Sequence, residues 1–224
     1  MGILVYHHRR HGDRIHVAPY PGTRPLLLLR EEVKSKDHMR VISGSAKGRK
    51  LKPVPGDTTR PITDRVKEAL FNILAGEVEG SDWWDVFAGT GGVGIEALSR
   101  GARFCRFTDA HPLAIRTIRA NLEMTGLTER AEVRRADAFA LLHAPADRTF
   151  DYIYLAPPQY HELWSKARLA LDANPSWLSR AAWVIVQIHP REVAPLPLQH
   201  LGLLERRRYG STMLLFFEHH SGKA

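Results

Sequence analysis

The chain has 224 residues, of which 44% are hydrophobic and 25% charged; this is globular composition and excludes a wholly disordered, collagen-like or fibrous chain. No apolar run nears the roughly 20 residues that cross a bilayer, and the longest near the start, Leu26–Leu29, is shorter than the stretch of about 7 in a secretory signal. The single cysteine, Cys105, excludes an internal disulfide, a CxxC redox pair and a multi-cysteine metal site, so a soluble cytoplasmic protein is expected.

Residues 1–38 hold five histidines and three prolines without apolar periodicity, so they read as a mobile extension that builds no core. His7, His8 and His11 lack acidic or cysteine partners and read as incidental rather than as a metal site. Of the net charge of +8, a share of +6 sits in residues 39–67, where Arg40, Lys47, Arg49, Lys50, Lys52, Arg60, Arg65 and Lys67 face only Asp57 and Asp64. So localised an excess is the footprint of a polyanionic partner, although a solvated surface carries charge too.

From Met39 the signals become regular. Arg40–Ser43 and Arg49–Val54 flank Ser45-Ala46-Lys47-Gly48 and read as a hairpin. Thr63 can cap a helix running to about Ala75, with Val66, Leu70, Phe71, Ile73 and Leu74 on its apolar face. Strands are then predicted at 83–88, 103–108, 131–136, 150–155 and 182–188, and helices at 92–100, 112–125, 137–142 and 160–172. Strands at 201–208 and 212–218 follow, joined at Tyr209-Gly210-Ser211. Repeated strand–helix units imply a mostly parallel sheet covered on both faces, with an antiparallel hairpin at its edge.

The strongest local motif runs Asp85-Val86-Phe87-Ala88-Gly89-Thr90-Gly91-Gly92-Val93-Gly94. It follows a strand and opens a helix, the setting in which a glycine loop lets a nucleotide approach the backbone and free N–H groups. Asp109 ends the next strand, where a carboxylate can accept bonds from ribose hydroxyls. This spacing does not separate a nicotinamide cofactor from S-adenosyl-L-methionine. Asp137-Ala138 follows the third strand, where it could reach an adenine edge or simply cap a helix. After the fourth strand, Ala156-Pro157-Pro158-Gln159-Tyr160 forms a stiff turn whose aromatic can stack on a base. At the carboxyl edge of the sheet such a turn faces the cofactor crevice.

Several of these segments together resemble the RsmD family of 16S ribosomal RNA (guanine-N2) methyltransferases. They are Arg40–Gly44, Lys47–Leu51, Arg60–Glu68, Leu70–Leu74, Asp85–Gly94, Glu96–Gly101, Asp109, Asn121-Leu122 and Tyr209–Thr212, spanning roughly 39–218. The resemblance implies a doubly wound, mostly parallel seven-stranded Rossmann-like sheet with an antiparallel C-terminal strand, over residues 81–220. The basic hairpin and helix at 39–80 would precede it and face RNA.

The implied reaction methylates a guanine amine with S-adenosyl-L-methionine and needs no metal or membrane, and the protein would act as a monomer on 16S ribosomal RNA or a small-subunit assembly particle. Asp109 would hold the cofactor ribose, Asp137 and Ala138 the adenine side, and Asp85, Phe87, Gly89, Gly91 and Gly94 the amino-acid portion. Arg40, Lys47, Arg49, Lys50, Arg60, Arg65 and Lys67 would meet RNA phosphates. The family carries Asp or Asn before Pro-Pro and an aromatic directly after. This chain has Ala156 there, Gln159 inserted, and Tyr160 one place later. Methyl transfer to another base amine, such as that of adenine, and a non-catalytic RNA-binding assembly factor are the alternatives that this turn leaves open.

Overall fold

A computed structural model describes residues 39–56, 62–158 and 163–220. The expected extension at 1–38, together with Arg60, Gln159 and Tyr160, lies outside the described residues.

Helix α1 (Asp64–Ile73) is capped by Thr63, whose hydroxyl accepts from the N–H of Val66. Strand and helix then alternate through β1 (Asp82–Asp85), α2 (Gly92–Ser99), β2 (Phe104–Asp109), α3 (Pro112–Thr125), β3 (Ala131–Arg135), α4 (Ala138–His143), β4 (Phe150–Leu155), α5 (Leu163–Ala173) and β5 (Leu178–Ile188). The hairpin of β6 (Leu201–Tyr209) and β7 (Thr212–His219) ends the sheet. The spatial order is β3-β2-β1-β4-β5-β7-β6, with β1 to β5 parallel and β7 antiparallel to both of its neighbours. Strand order therefore reverses between β1 and β4, the place where such sheets open a crevice at their carboxyl ends.

Alternation along β1 explains the two cores. Trp83 faces the side packed by α1, α2 and α3, stacked between Phe71 and Tyr152 at ring distances of 5.5 and 4.7 Å. Trp84 faces the α4 and α5 side against Phe150 and Trp177, and its indole N–H donates to Thr108 Oγ1 at 2.9 Å. Over this second core lies the buried guanidinium of Arg106, held by Glu132 and Asp147.

The expected hairpin at 40–54 forms but is short: around the antiparallel bridge from Arg40 to Lys50, the N–H of Val41 donates to the Arg49 carbonyl at 2.9 Å and that of Leu51 to the Met39 carbonyl at 2.7 Å. Its shortness comes from competition for the next backbone donors. The N–H groups of Ile42 and Ser43 go to Glu96, and those of Ser45 and Ala46 go to Ser99, so the pairing does not extend past Val41. The contact is close enough to require glycine at Gly44, where a Cβ would lie 1.8 Å from the Ser99 carbonyl oxygen. Val41, Ala46 and Leu51 join the first core, which ties the basic segment to the outer surface of α2 and α3.

Candidate cofactor and nucleobase site

The glycine loop and the proline turn leave the carboxyl ends of neighbouring strands. β1 pairs with β4 from Trp83–Tyr152 to Asp85–Tyr154, and the N–H of Val86 continues the pairing by donating to the Tyr154 carbonyl at 3.1 Å. The loop thus starts beside Ala156-Pro157-Pro158, of which Ala156 is half-buried, Pro157 buried and Pro158 exposed. Asn121, fully buried on α3, holds the far side by donating to the Thr90 carbonyl at 2.9 Å.

Three carboxylates frame the crevice. Asp85 is buried; its Oδ2 accepts from the N–H of Gly94 at 3.2 Å, while its Oδ1 is buried without a hydrogen-bond partner. Burial, helped by the nearby charge of Asp109 and opposed by the Gly94 N–H, pushes its carboxyl up to about 7. Asp109 accepts from the N–H of Gly89 at 2.9 Å through one oxygen and from that of His111 at 2.8 Å through the other. A carboxylate has about four acceptor positions, so capacity remains for hydroxyls of a ligand. Asp137 caps α4, its Oδ1 accepting from Phe139 at 2.7 Å and Ala140 at 3.3 Å, so capping and adenine contact are compatible duties. The N–H of Ala138, at the first position of α4, has no acceptor within its helix. Phe87 and Phe139, with ring centroids 5.9 Å apart, close the gap between loop and helix.

S-adenosyl-L-methionine fits this donor and acceptor set on two observations. The orphaned Asp85 Oδ1 is a buried acceptor suited to an ammonium group. At Gly89 the backbone faces open space, with nothing within 4 Å of the place a Cβ would take.

The basic set divides. Arg40, Lys47, Arg49, Lys50 and Arg65 are exposed, and Arg40 pairs with Asp64 at 3.1 Å. Lys67 is a correction. Its side chain is fully buried, its ammonium donating to the Arg40 carbonyl at 2.5 Å and lying 3.6 Å from Glu96 Oε2, so it cannot meet phosphate. The signal was present, because Lys67 stands three, four and seven positions before Leu70, Phe71 and Leu74 on the buried face of α1.

Sequence reasoning also missed the roles of Glu96 and Ser99. Glu96, fully buried, accepts from Ile42 and Ser43 and from the Arg100 guanidinium at 2.8 Å. Ser99 accepts from the Ala46 N–H and donates to the Ser43 carbonyl at 2.6 Å. A buried acid in an otherwise apolar helix was the available clue.

Among the described residues no group of three or more His, Cys, Asp or Glu side chains is placed to hold a metal, and no helix is long and apolar enough to cross a membrane. The family described as conserved hypothetical protein 95 matches residues 39–218. YlbH of Bacillus subtilis is 44% identical over 80% of this chain and 98% of its own length. Ribosomal RNA small subunit methyltransferase D of Haemophilus influenzae is 35% identical over 68% of this chain and 80% of its own. Among solved structures, yhhF of Escherichia coli superposes with a TM-score of 0.74 at 28% identity, over 83% of this chain and 99% of that one. An RNA methyltransferase from Salinibacter ruber, solved with S-adenosyl-L-homocysteine, shares the fold with a TM-score of 0.57 at 17% identity, over 74% of this chain and 97% of that one. With loop, proline turn and docked basic segment all inside the matched span, the chain belongs to the RsmD family of S-adenosyl-L-methionine-dependent ribosomal RNA methyltransferases.

Proposed function

We propose that the protein methylates the exocyclic N2 amine of a guanine in 16S ribosomal RNA, free or within a small-subunit assembly particle. The observation that carries this reading is the junction of the Asp85–Gly94 loop with the Ala156-Pro157-Pro158 turn on adjacent strands at the reversal point of the sheet. When bound, the cofactor supplies a methyl group already activated on a sulfonium, which calls for no metal. Asp85 would receive its ammonium group, Asp109 its ribose hydroxyls, and the Ala138 N–H its adenine.

A guanine amine is a poor nucleophile because its lone pair is delocalised into the ring. Carbonyls around Ala156 and Pro157 that accept its N–H groups would favour the pyramidal, reactive form and orient it toward the methyl carbon. The base must first leave its stack, and Tyr160 is the natural platform for it. Gln159 is the side-chain acceptor nearest in sequence to the place where the family has Asp or Asn. The exposed Lys47, Arg49 and Lys50 on the docked segment and Arg65 on α1 supply phosphate contacts.

Mapping base methylation in 16S ribosomal RNA from cells with and without the gene tests the assignment. Loss of one N2-methylguanine is expected, whereas loss of a methylated adenine would move the target. Ala156 favours one second reading, an RNA-binding assembly factor without transferase activity; it predicts RNA binding with no methyl transfer to any precursor. Single-turnover methylation adds a finer test. Gln159→Ala should slow transfer about 10-fold, or roughly 1.4 kcal/mol of barrier, and an equally fast variant would remove Gln159 from the site.

A further inference from the structure

The β6–β7 turn Tyr209-Gly210-Ser211 has no part in the chemistry above, yet it lies on the same edge of the sheet. β7 runs antiparallel to β5 with Met213 opposite Ile188, which places the start of β7 and its turn beside the carboxyl end of β5. β5 is the parallel neighbour of β4, which leads into the proline turn. Strands lie about 4.8 Å apart, so β7 stands two spacings, about 10 Å, from β4.

Here His189, Pro190, Arg191, Arg208, Gly210 and Ser211 line a cavity of about 460 Å³. Arg191 and Arg208 are exposed, and neither forms an ion pair with a carboxylate among the described residues. Their neighbours differ: Arg207 is paired with Glu205, and Glu192 accepts from the N–H of His189. Arg208 Nε donates to the Gly210 carbonyl at 3.2 Å, which holds the guanidinium against the turn. Two arginines and a serine lining one polar cavity carry the donors that match the oxygens of a phosphodiester, which a guanidinium can grip in pairs.

The position selects the ligand. The docked segment at 39–56 lies over α2 and α3, on the β1–β2 side of the reversal point, and the cavity lies beyond β5 on the other side. Enzymes that draw a base out of its stack also contact the nucleotides flanking it.

Resting on the proposed RNA reading, we propose that this cavity binds a backbone phosphate of the RNA strand within one or two nucleotides of the target base. Arg191 and Arg208 hold its oxygens, and Ser211 donates the remaining hydrogen bond.

The test is equilibrium binding of 16S ribosomal RNA, measured without turnover across a salt series, with the KM for the same RNA determined alongside. The double variant Arg191→Glu/Arg208→Glu should weaken binding 10-fold or more near 150 mM salt and lower the salt slope by about 0.7, one single-strand phosphate. Arg191→Lys/Arg208→Lys should keep most of the slope and lose part of the affinity, because lysine keeps the charge without the fork. Cofactor affinity and melting temperature should stay at the parent's values in both. An unchanged slope and affinity in the glutamate pair overturns the site, as does a loss matched by a fall in melting temperature and equal in the lysine pair. A parent that binds RNA but transfers no methyl group would instead sink the proposed reaction, and the binding series would still decide the cavity.

Discussion

Asn121 completes the backbone of Lys52 as a second peptide strand would. Its Oδ1 accepts from the Lys52 N–H at 2.8 Å and its Nδ2 donates to the Lys52 carbonyl at 3.1 Å. The same Nδ2 donates to the Thr90 carbonyl in the glycine loop. One buried amide therefore joins the basic segment, α3 and the cofactor loop. Replacing it with alanine leaves three backbone groups short of partners, and a cost of about 2–4 kcal/mol is expected. Urea denaturation checks this, with Asn121→Asp keeping the acceptor but losing both donated bonds.

Asp109 should matter twice, for the ligand and for the loop. Asp109→Ala removes ribose acceptors worth about 1.5–3 kcal/mol and also releases the N–H groups of Gly89 and His111. Calorimetry should show cofactor affinity falling by at least 10-fold, with Asp109→Asn falling less because its amide oxygen still accepts. An unaltered affinity in a folded Ala variant would refute the assignment.

Asp85 makes stability and affinity respond to pH in opposite directions. Its folded value, about 7, is raised above the unfolded one, so the fold favours the protonated acid. That contribution is complete below about pH 4 and is lost as pH rises through 7, with an upper limit near 4 kcal/mol. Asp85→Asn should therefore melt above the parent at pH 8 and approach it at pH 5. An ammonium group placed against the carboxylate favours ionisation, so cofactor affinity should rise with pH through 7 and lose that rise in Asp85→Asn. Melting curves and calorimetry from pH 5 to 9 read both.

Lys67 separates buried charge from exposed charge. Lys67→Met breaks the pair with Glu96, which keeps Arg100 and two backbone donors, and should lower stability by about 1–3 kcal/mol. The salt dependence of RNA binding should not change. Neutralising Lys47, Arg49 and Lys50 should do the reverse, lowering the slope by about 0.7 per lost contact at little cost in stability.

The alternation of strands and helices was legible because period and punctuation are local. The strands from β2 to β4 and the helices α2 and α3 stand within a few residues of their expected bounds. So were the places of the glycine loop, Asp109 and Asp137 at the carboxyl edge of the sheet, because each sits next to the strand end that places it. The duties of Glu96, Ser99 and Asn121 were not legible, since their partners are backbone groups more than 50 positions away in the chain. Lys67 was misread because its charge was counted and its helical position was not. The expected hairpin formed but stayed short, because the donors beyond Val41 go to a helix that comes later in the sequence.

That dependence has a consequence for how the protein is made. Residues 39–56 are synthesised before the helices that hold them, and their anchors on α2 and α3 follow 53 to 69 positions behind them. Contacts of such separation form only after the intervening chain has been emitted and the loop between them closed. Until then the lysines and arginines of this segment sit on a peptide without its anchors, whose charge attracts polyanions irrespective of their shape. The folded form of this basic surface comes into being only once α3 has been translated and folded against β2.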